Sequence, residues 1–389
     1  MTEEPTGPNG PGNGAPDRDE ALAELRARID SIDSRLVDLL AERLSVVESV
    51  AAVKREHDLP IYHPAREEDL ISRRRAQARE ARVDPDLVED VLRRILRQSR
   101  ATQAAALASR GVKPGAGVLI VGGGGEMGRL LAGWFGSAGY RVRVLERDDW
   151  ERAGELCRGI ELAVLSVPIQ VTGEVARSLG PHLPRGCVLA DVTSVKSEPV
   201  AAMLAAHAGP VLGLHPMFGP GIRGLDRQIV VATPGRNEDA CRWVVDQLAA
   251  WGAVIVWSSA EEHDRIMAFV QALRHFATFA FGQFLHESRA DLRRTLEVSS
   301  PIYRLELGMV GRLFAQDPEL YADIIFATPE RRALLASYVS SVAANAGMLE
   351  RADREAFVAE FRRIADWFGP FAEQAIRESN YLIEKMTEL

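Results

Sequence analysis

The chain has 389 residues, of which 47% are hydrophobic and 26% charged, so it can hold two or three domains that each bury a core. Its three cysteines, Cys157, Cys187 and Cys241, form no C-x-x-C pair, which excludes a disulfide framework or cysteine zinc site and predicts a reducing cytoplasm. The net charge of −8 gives no electrostatic reason to bind nucleic acid or an anionic membrane, and no apolar run approaches the ~18 residues of a membrane span.

The first part of the chain has a helical pattern. Residues 1–19 hold four glycines and four prolines with almost nothing apolar, which predicts a disordered tail. From 20 to 56 leucine, isoleucine and valine recur at helical spacing, and a helix of that length needs other helices to cover it, including those of a second subunit. Further helices are predicted over 65–81 and from 85 to about 107, so residues 20–107 form an all-α unit.

Polar side chains occupy positions of these helices that should face the interior. On a helical wheel Arg43 and Lys54 lie inside the apolar stripe of the first helix, with Arg26 at its edge. Ser99 and Gln103 interrupt the stripe of the third helix, and Arg66 and Glu67 open the second. Two interpretations stay open: a buried ion-pair network that holds the bundle in register, or a site for a small dianion that carries a hydroxyl group.

The spacing of these residues resembles that of a known family. The runs L-R-A-R-I-D-S-I-D-S-R-L-V-D-L-L-A-E-R, I-Y-H-P-A-R-E and R-Q-S-R-A-T-Q, together with Lys54, resemble the all-helical chorismate mutase family over residues 20–103. The resemblance implies these roles: Arg26 reaches into the neighbouring subunit's site, Arg43 and Arg66 bind substrate carboxylates, Glu67 binds the ring hydroxyl, Ser99 supports a carboxylate, and Lys54 and Gln103 donate to the ether oxygen. A departure is His63, where some members have an acidic residue. A Claisen rearrangement needs only a compact conformer and stabilised charge on that oxygen, which fixed cations and an amide can supply.

Beyond a short linker at 108–116 the pattern changes to short apolar runs that alternate with helical stretches. The runs are 118–121, 141–146, 162–167, 187–192, 211–214, 228–232 and 253–257. This alternation predicts a mostly parallel sheet with helices on both faces, a Rossmann-type domain over 117–272. No strand-like run follows residue 260, so 273–389 is predicted to be an all-α domain where, by analogy with other dinucleotide enzymes, subunits associate.

The glycine-rich turn after the first of these runs predicts a dinucleotide site. Gly123, Gly125 and Gly128 follow a strand and open a helix, as pyrophosphate binding at a helix N-terminus requires. Glu146 ends the next strand, 21 residues after Gly125, and favours NAD because a carboxylate repels a 2′-phosphate, although the neighbouring Arg147 weakens this preference. The predicted cofactor site also includes Met127, Ser166 and Pro168. The alternative is a glycine turn that binds no nucleotide.

Two further strand ends carry groups suited to proton transfer and substrate binding. His215 lies in the run L-G-L-H-P-M-F-G-P, where prolines and glycines fix the loop, so it is either a proton acceptor or a buried structural histidine. Ser194 and Lys196 end another strand, where ligands of open α/β sheets bind.

These residues resemble the prephenate dehydrogenase family from Gly117 to about Met386. The resemblance rests on V-G-G-G-G-E-M-G-R-L, L-G-L-H-P-M-F-G-P, M-A-F-V-Q-A-L-R-H-F-A-T-F and S-S-P-I-Y-R-L-E-L-G-M-V-G-R-L-F-A-Q-D-P. It implies that His215 takes the proton of the ring 4-hydroxyl with Ser194 hydrogen-bonded to it, that Arg312 binds a substrate carboxylate, and that His263 and His275 lie near the substrate and a tyrosine effector pocket. Lys196 is assigned to substrate binding.

The order of the two parts resembles the bifunctional T-protein family of tyrosine biosynthesis. It implies an all-α chorismate mutase bundle, an α/β Rossmann-type NAD-binding domain and an all-α C-terminal dimerisation domain. The implied ligands are chorismate, prephenate, NAD and, as feedback inhibitor, tyrosine; a homodimer is expected and no metal is needed. Two alternatives stay open: a catalytically silent helical module attached to a dehydrogenase, and arogenate in place of prephenate.

Overall fold

The computed structural model describes residues 18–56, 63–108, 111–222 and 224–386. The chain divides into two compact units, which are described separately: residues 1–109 with 250–252, and residues 110–249 with 253–389. None of the helices in the described ranges is long and apolar enough to cross a membrane.

The first unit contains three helices, α1 (Arg18–Glu56), α2 (Pro64–Glu80) and α3 (Pro85–Ala108). They confirm the predicted all-α unit, with ends that differ by one or two residues. The predicted tail lies outside the described residues, except that Arg18 and Asp19 already belong to α1. Helix α2 begins with a proline, which is favoured in the first turn of a helix. Glu67 in the first turn and Arg79 in the last turn complement the helix dipole.

The N-terminal half of α1 has an apolar face that its own chain leaves uncovered. Leu25, Ile29, Ile32 and Leu36 are all more than half exposed, whereas Val47 and Ala51, farther along the helix, are buried. A helix of 39 residues is about 58 Å long, so it extends well beyond α3, the 24-residue helix that packs against it.

The second unit is built on a seven-stranded sheet of order β2-β1-β3-β4-β5-β6-β7. The strands are β1 (Gly117–Val121), β2 (Arg141–Leu145), β3 (Ile160–Leu165), β4 (Val188–Asp191), β5 (Val211–Pro216), β6 (Ile229–Arg236) and β7 (Val254–Trp257). All seven predicted strands are confirmed. Every neighbouring pair is parallel except β5 and β6, and strands β1, β3 and β4 are buried almost throughout because helices cover both faces.

Helices connect the strands and then form the C-terminal part. They are α4 (Glu126–Ser137), α5 (Ala153–Leu156), α6 (Ile169–Leu179), α7 (Ser197–Ala206), α8 (Glu238–Ala250), α9 (Ala260–Met267), α10 (Arg274–Glu287), α11 (Leu292–Glu297), α12 (Pro301–Phe314), α13 (Pro318–Phe326), α14 (Pro329–Glu350), α15 (Arg354–Phe368) and α16 (Pro370–Met386). Within the described residues no strand follows β7, as predicted. A π-helical turn, Ala268–Leu273, joins α9 to α10, and the domain boundary predicted after residue 272 falls inside this turn.

The described part of the linker is attached to the second unit. The backbone N–H of Val112 donates to Gln247 Oε1 at 2.6 Å, and that of Lys113 donates to the Tyr140 hydroxyl at 3.1 Å. Gly111 N–H donates to the carbonyl of Ala138 at 2.8 Å. Residues 111–116 therefore have a fixed course along the edge of the α/β core.

Candidate active sites

Helices α1 and α3 of the first unit meet at a hydrogen bond between two predicted site residues. Arg43 Nη1 donates to Ser99 Oγ, and the Ser99 hydroxyl donates in turn to the carbonyl of Ile95 at 2.8 Å. Ser99 and Gln103 are buried, at 4% and 7% exposure, one helical turn apart on α3. Burial lowers the pKa of Arg43 from its usual value. The interior polar positions predicted on these two helices therefore do lie together.

Glu67 brings α2 into the same cluster. Its two carboxylate oxygens accept hydrogen bonds from Arg100 Nη1, at 2.8 and 2.7 Å. Half-buried Lys54 of α1 lies close enough to be affected by this helix: burial and then Arg66 lower the pKa of its ammonium, and Glu67 opposes them. The sequence pattern assigns no role to Arg100, because Arg100 lies off the interrupted apolar stripe of the third helix. The one signal for it is that Glu67, the single acidic member of the cluster, requires a cationic partner.

The cluster has an excess of positive charge. Glu67 is the one carboxylate among five residues whose other members are Arg43, Lys54, Arg66 and Arg100, so their formal charges sum to +3. Within the described part of the chain, Arg43 and Arg66 form no ion pair, and Gln103 Oε1 is buried without a hydrogen-bond partner. An ion-pair network that only holds the bundle together explains Glu67 and Arg100, but it does not explain half-buried Arg43, which has no carboxylate partner among the described residues.

Arg26 lies far from this cluster on the same helix. It precedes Arg43 by 17 residues of α1, so the two side chains start roughly 25 Å apart. Arg26 therefore cannot join the cluster of its own chain, which agrees with its predicted position in a neighbouring subunit.

In the second unit the turn after β1 has the close backbone approaches that only glycine allows. A Cβ on Gly128 would lie 2.2 Å from the carbonyl oxygen of Gly122, and one on Gly123 would lie 2.6 Å from a methyl of Val144. Gly125 stands at the N-cap of α4 and has no side chain to cap it, so the first N–H groups of α4 are available to a ligand. Such a turn fits a pyrophosphate at the start of the helix.

The other predicted cofactor residues surround this turn. Glu146 Oε1 accepts a hydrogen bond from Gly124 N–H at 2.5 Å, which places the carboxylate beside the loop. Ser166 N–H donates to the carbonyl of Val121 at 2.9 Å, Pro168 is the N-cap of α6, and Met127 lies in the first turn of α4. Strand β1 lies between β2 and β3, so the strand order reverses at β1. In open α/β sheets such a reversal produces a ligand-binding crevice at the carboxyl ends of the strands.

His215 ends β5, 2% exposed, and is held by a second histidine from α9. His215 Nδ1 and His263 Nε2 are 2.8 Å apart, and His263 Nδ1 lies 2.8 Å from Asp264 Oδ1. Asp264 also accepts the backbone N–H groups of Lys196 and Ser197 at the start of α7, each at 2.8 Å. Burial raises the pKa of Asp264, but the hydrogen bonds from His263, Ser197 and Lys196 outweigh it and hold that pKa far below its usual value.

These contacts determine which nitrogen of His215 can accept a proton. An ionised Asp264 only accepts, so His263 Nδ1 donates to it, and in the neutral pair His263 Nε2 then accepts from His215 Nδ1. His215 Nε2 keeps its lone pair and faces the Gln271 amide nitrogen at 3.2 Å, in the π-helical turn. Burial, and then His263, Lys196 and Arg331, hold the pKa of His215 well below its usual value, with Asp264 opposing. His215 is thus a neutral base at neutral pH.

Two sequence predictions about this region are wrong in the structure. Ser194 does not bond to His215, because His263 and Gln271 lie at both ring nitrogens; its carbonyl instead accepts from Arg331 Nη2 at 3.2 Å. Lys196 was assigned to substrate, but its ammonium is fully buried and pairs with Asp191, so in this structure it cannot touch a ligand. Its backbone N–H orients Asp264, and its buried charge helps to lower the pKa of His215.

The remaining predicted residues lie on the C-terminal helices. His275 follows Gln271 by four residues, packs against Tyr321 with ring centroids 4.7 Å apart, and has a pKa lowered to about 4 by burial and Arg274. Arg312 is exposed on α12, and it is not among the hydrogen-bond partners of the His215 ring in the described residues, which are His263 and Gln271. Sequence reasoning missed Asp264, Gln271 and Arg331. Asp264 follows His263 directly, and this His-Asp pair was the one available signal.

Comparison with known proteins assigns each part of the chain. Residues 25–104 match the family model of chorismate mutase type II, residues 144–257 that of the prephenate dehydrogenase nucleotide-binding domain, and residues 259–363 that of the prephenate dehydrogenase dimerization domain. The second match begins after the glycine turn, so the geometry of the turn is independent evidence for the nucleotide site.

Similar proteins extend over nearly the whole chain. The T-protein of Enterobacter agglomerans is 47% identical over 374 residues, 94% of this chain and 98% of the relative. That of Haemophilus influenzae is 43% identical over 370 residues, 95% and 98% of the two chains. A prephenate dehydrogenase structure from Aquifex aeolicus, with hydroxyphenyl propionate and NAD+, covers 64% of this chain and 96% of its own at TM-score 0.52 and 19% identity, which establishes the fold alone. The chain therefore belongs to the T-protein family, with a type II chorismate mutase domain followed by the two domains of a prephenate dehydrogenase.

Proposed function

We propose that this chain catalyses two consecutive reactions, the rearrangement of chorismate to prephenate and the NAD-dependent oxidative decarboxylation of prephenate to 4-hydroxyphenylpyruvate. The observation that carries the proposal is that one chain holds both clusters, a helical bundle with excess positive charge and, in the second unit, a buried histidine in the same sheet domain as a dinucleotide turn. The alternative of a silent helical module is disfavoured because a purely structural bundle gains nothing from half-buried Arg43, which has no carboxylate partner among the described residues.

The mutase reaction requires only a binding site of the right shape and charged groups at fixed positions. Arg43 with Ser99, and Arg66 from α2, are suited to the two carboxylates of chorismate, and Glu67 to its ring hydroxyl. Lys54 and the buried amide of Gln103 donate to the ether oxygen, where negative charge grows as the C–O bond breaks. No group gives or takes a proton. Arg26 of a second copy completes the site, which requires a homodimer.

The dehydrogenase reaction needs one proton acceptor. His215 Nε2 takes the proton of the ring 4-hydroxyl while the hydrogen on the same carbon leaves with both bonding electrons. The nicotinamide of bound NAD supplies the acceptor for that hydride. The ring carboxylate then leaves as CO₂, and its bonding pair remains in the ring, which becomes aromatic. As the imidazolium forms, His215 Nδ1 stays hydrogen-bonded to His263, and Asp264 offsets the positive charge.

Further residues of the second unit are proposed to contact NAD and a carboxylate of the substrate. Gly123, Gly125, Met127 and Gly128 would hold the pyrophosphate at the start of α4, Glu146 the adenosine ribose, and Ser166 with Pro168 the opposite side of the crevice. Arg312 is proposed to bind a substrate carboxylate. His275 is proposed to lie near the substrate and to form part of a tyrosine effector pocket; feedback inhibition by tyrosine rests on the family resemblance.

Two features of the described chain support the homodimer. The apolar face of α1 is uncovered, and the C-terminal helices expose large aromatic side chains, including Phe361 and Trp367. Buried free cysteines agree with the proposed cytoplasmic location. The domain boundaries proposed from the sequence are 20–107, 117–272 and 273–389.

A coupled assay tests the proposal: chorismate plus NAD, with NADH and CO₂ followed, with and without tyrosine. Lys54→Ala should abolish prephenate formation and leave oxidation of added prephenate intact; full mutase turnover in this variant would refute the mutase assignment. His215→Asn should abolish hydride transfer with nearly unchanged NAD affinity. A parallel loss of NAD binding would make His215 structural. Arogenate in place of prephenate is the matched substrate control.

A further inference from the structure

Arg100 is a buried cation to which neither the sequence pattern nor the proposed mechanism gives a role. It is 6% exposed on α3, between the predicted site residues Ser99 and Gln103. One of its nitrogens, Nη1, donates to both carboxylate oxygens of Glu67 on α2. The Glu67 side chain is 23% exposed, so Arg100 contacts it from the protein side and leaves part of the carboxylate open.

The contact leaves Glu67 able to accept further hydrogen bonds. A carboxylate offers about four lone-pair positions, and Arg100 uses one on each oxygen. A ring hydroxyl can therefore donate to the same carboxylate without displacing Arg100. Since the carboxylate is held at both oxygens, it cannot rotate away from the position set by α3.

The pair also changes the charge that a bound dianion meets. A carboxylate without a cation would repel such a ligand. With Arg100 opposite Glu67, the negative charge of the carboxylate is compensated by a buried group on α3.

We infer that Arg100 is a positioning residue of the mutase reaction, which fixes the Glu67 carboxylate for the substrate hydroxyl and compensates its negative charge. The inference rests on the proposed mutase function. Arg100 acts through Glu67, so every effect of Arg100 on the rate should depend on the negative charge of Glu67.

Four variants test it: Arg100→Met, Arg100→Lys, Glu67→Gln and the double variant Arg100→Met with Glu67→Gln. Arg100→Met should lower mutase kcat/KM by about 10- to 100-fold, the range expected when a substrate-positioning group is misplaced. Arg100→Lys should restore most of this loss, because the contact uses a single donor nitrogen. In the Glu67→Gln background Arg100→Met should add less than about 3-fold, since double-mutant cycles report coupling between groups in contact.

The controls separate this role from folding and from the proposed function. Arg93→Met removes another Arg–Glu pair of α3, an exposed one with Glu89, and should leave mutase kinetics unchanged. Oxidation of added prephenate reports whether the rest of the chain is intact. A wild-type chain that does not convert chorismate refutes the proposed function. A wild-type chain that does, with Arg100→Met equally active, additive with Glu67→Gln or not rescued by lysine, refutes only the positioning role.

Discussion

Asp264 is the residue whose replacement most directly tests how His215 is prepared as a base. In the structure its carboxylate accepts three N–H groups, from His263 Nδ1 and from the backbones of Lys196 and Ser197. Asp264→Asn keeps the size of the side chain but removes its charge, and an amide placed here must turn its NH₂ toward one of those donors. At least one of the three hydrogen bonds is therefore lost, together with the negative charge that raises the pKa of His215.

The distances give the size of the effect. Two hydrogen bonds of 2.8 Å and one imidazole ring separate Asp264 from the His215 ring, so the two charges lie roughly 8 Å apart when His215 accepts its proton. Coulomb's law with an effective dielectric constant of about 20 gives an attraction of about 2 kcal/mol, or ~30-fold in rate. We expect dehydrogenase kcat/KM to fall by this amount, with the KM for NAD unchanged.

The pH profile distinguishes this cause from a loosened fold. Asp264 raises the pKa of His215 against burial and the neighbouring cations, so its neutralisation should move the acid limb of kcat/KM to lower pH. Water entering a disrupted site would reduce the burial effect and move the limb to higher pH. An upward shift, or a rate loss under about 3-fold, would refute the reasoning. Asp239→Asn, the same change at an exposed position of α8, is the matched control, and mutase turnover should be unaffected in both variants.

Three further predictions concern the second unit. Gly128→Ala places a Cβ 2.2 Å from the Gly122 carbonyl oxygen, so the turn that holds the pyrophosphate must shift. The affinity for NAD, measured by fluorescence titration, should fall about tenfold for each 1.4 kcal/mol of binding free energy that is lost. Glu146→Gln removes a charge that repels a 2′-phosphate, so the ratio of kcat/KM for NADP to that for NAD should rise; an unchanged ratio would show that Glu146 does not face the ribose. Lys196→Met leaves Asp191 buried without its cation and should cost about 3–5 kcal/mol in urea unfolding, much of which Asp191→Asn should restore in the double variant.

Much of the architecture can be predicted from the sequence because its causes are local. Parallel strands that are covered on both faces require continuous apolar runs, as in β1, β3 and β4, and all seven of the predicted runs are strands. The mutase cluster was predictable for a similar reason, since the helical period places Arg43, Ser99 and Gln103 on interior faces before any tertiary contact is known.

The partners of His215 could not be predicted, because they are separated from it by many residues. His263 and Gln271 follow it by 48 and 56 residues, and the Asp264 contact to Lys196 joins groups 68 residues apart. Strand-end position suggested Ser194 and Lys196 as site groups, and the family resemblance added a hydrogen bond from Ser194 to His215. The strand-end rule identifies the edge of the sheet where ligands bind. It does not show which side chains at that edge contact the ligand and which ones hold the strand ends together.

The two units place their cations differently. In the bundle, Arg43 and Lys54 are half-buried and Arg66 is exposed, so the proposed mutase site offers positive charge that a dianion can contact. In the second unit the side chains of Lys196 and Arg331 are fully buried, bound to Asp191 and to backbone carbonyls, and their charges act on His215 through the field that lowers its pKa. A rearrangement without proton transfer is served by accessible charge. An oxidation that begins with proton removal needs a base that stays neutral, and cations kept out of reach of the substrate provide that without competing for its carboxylates.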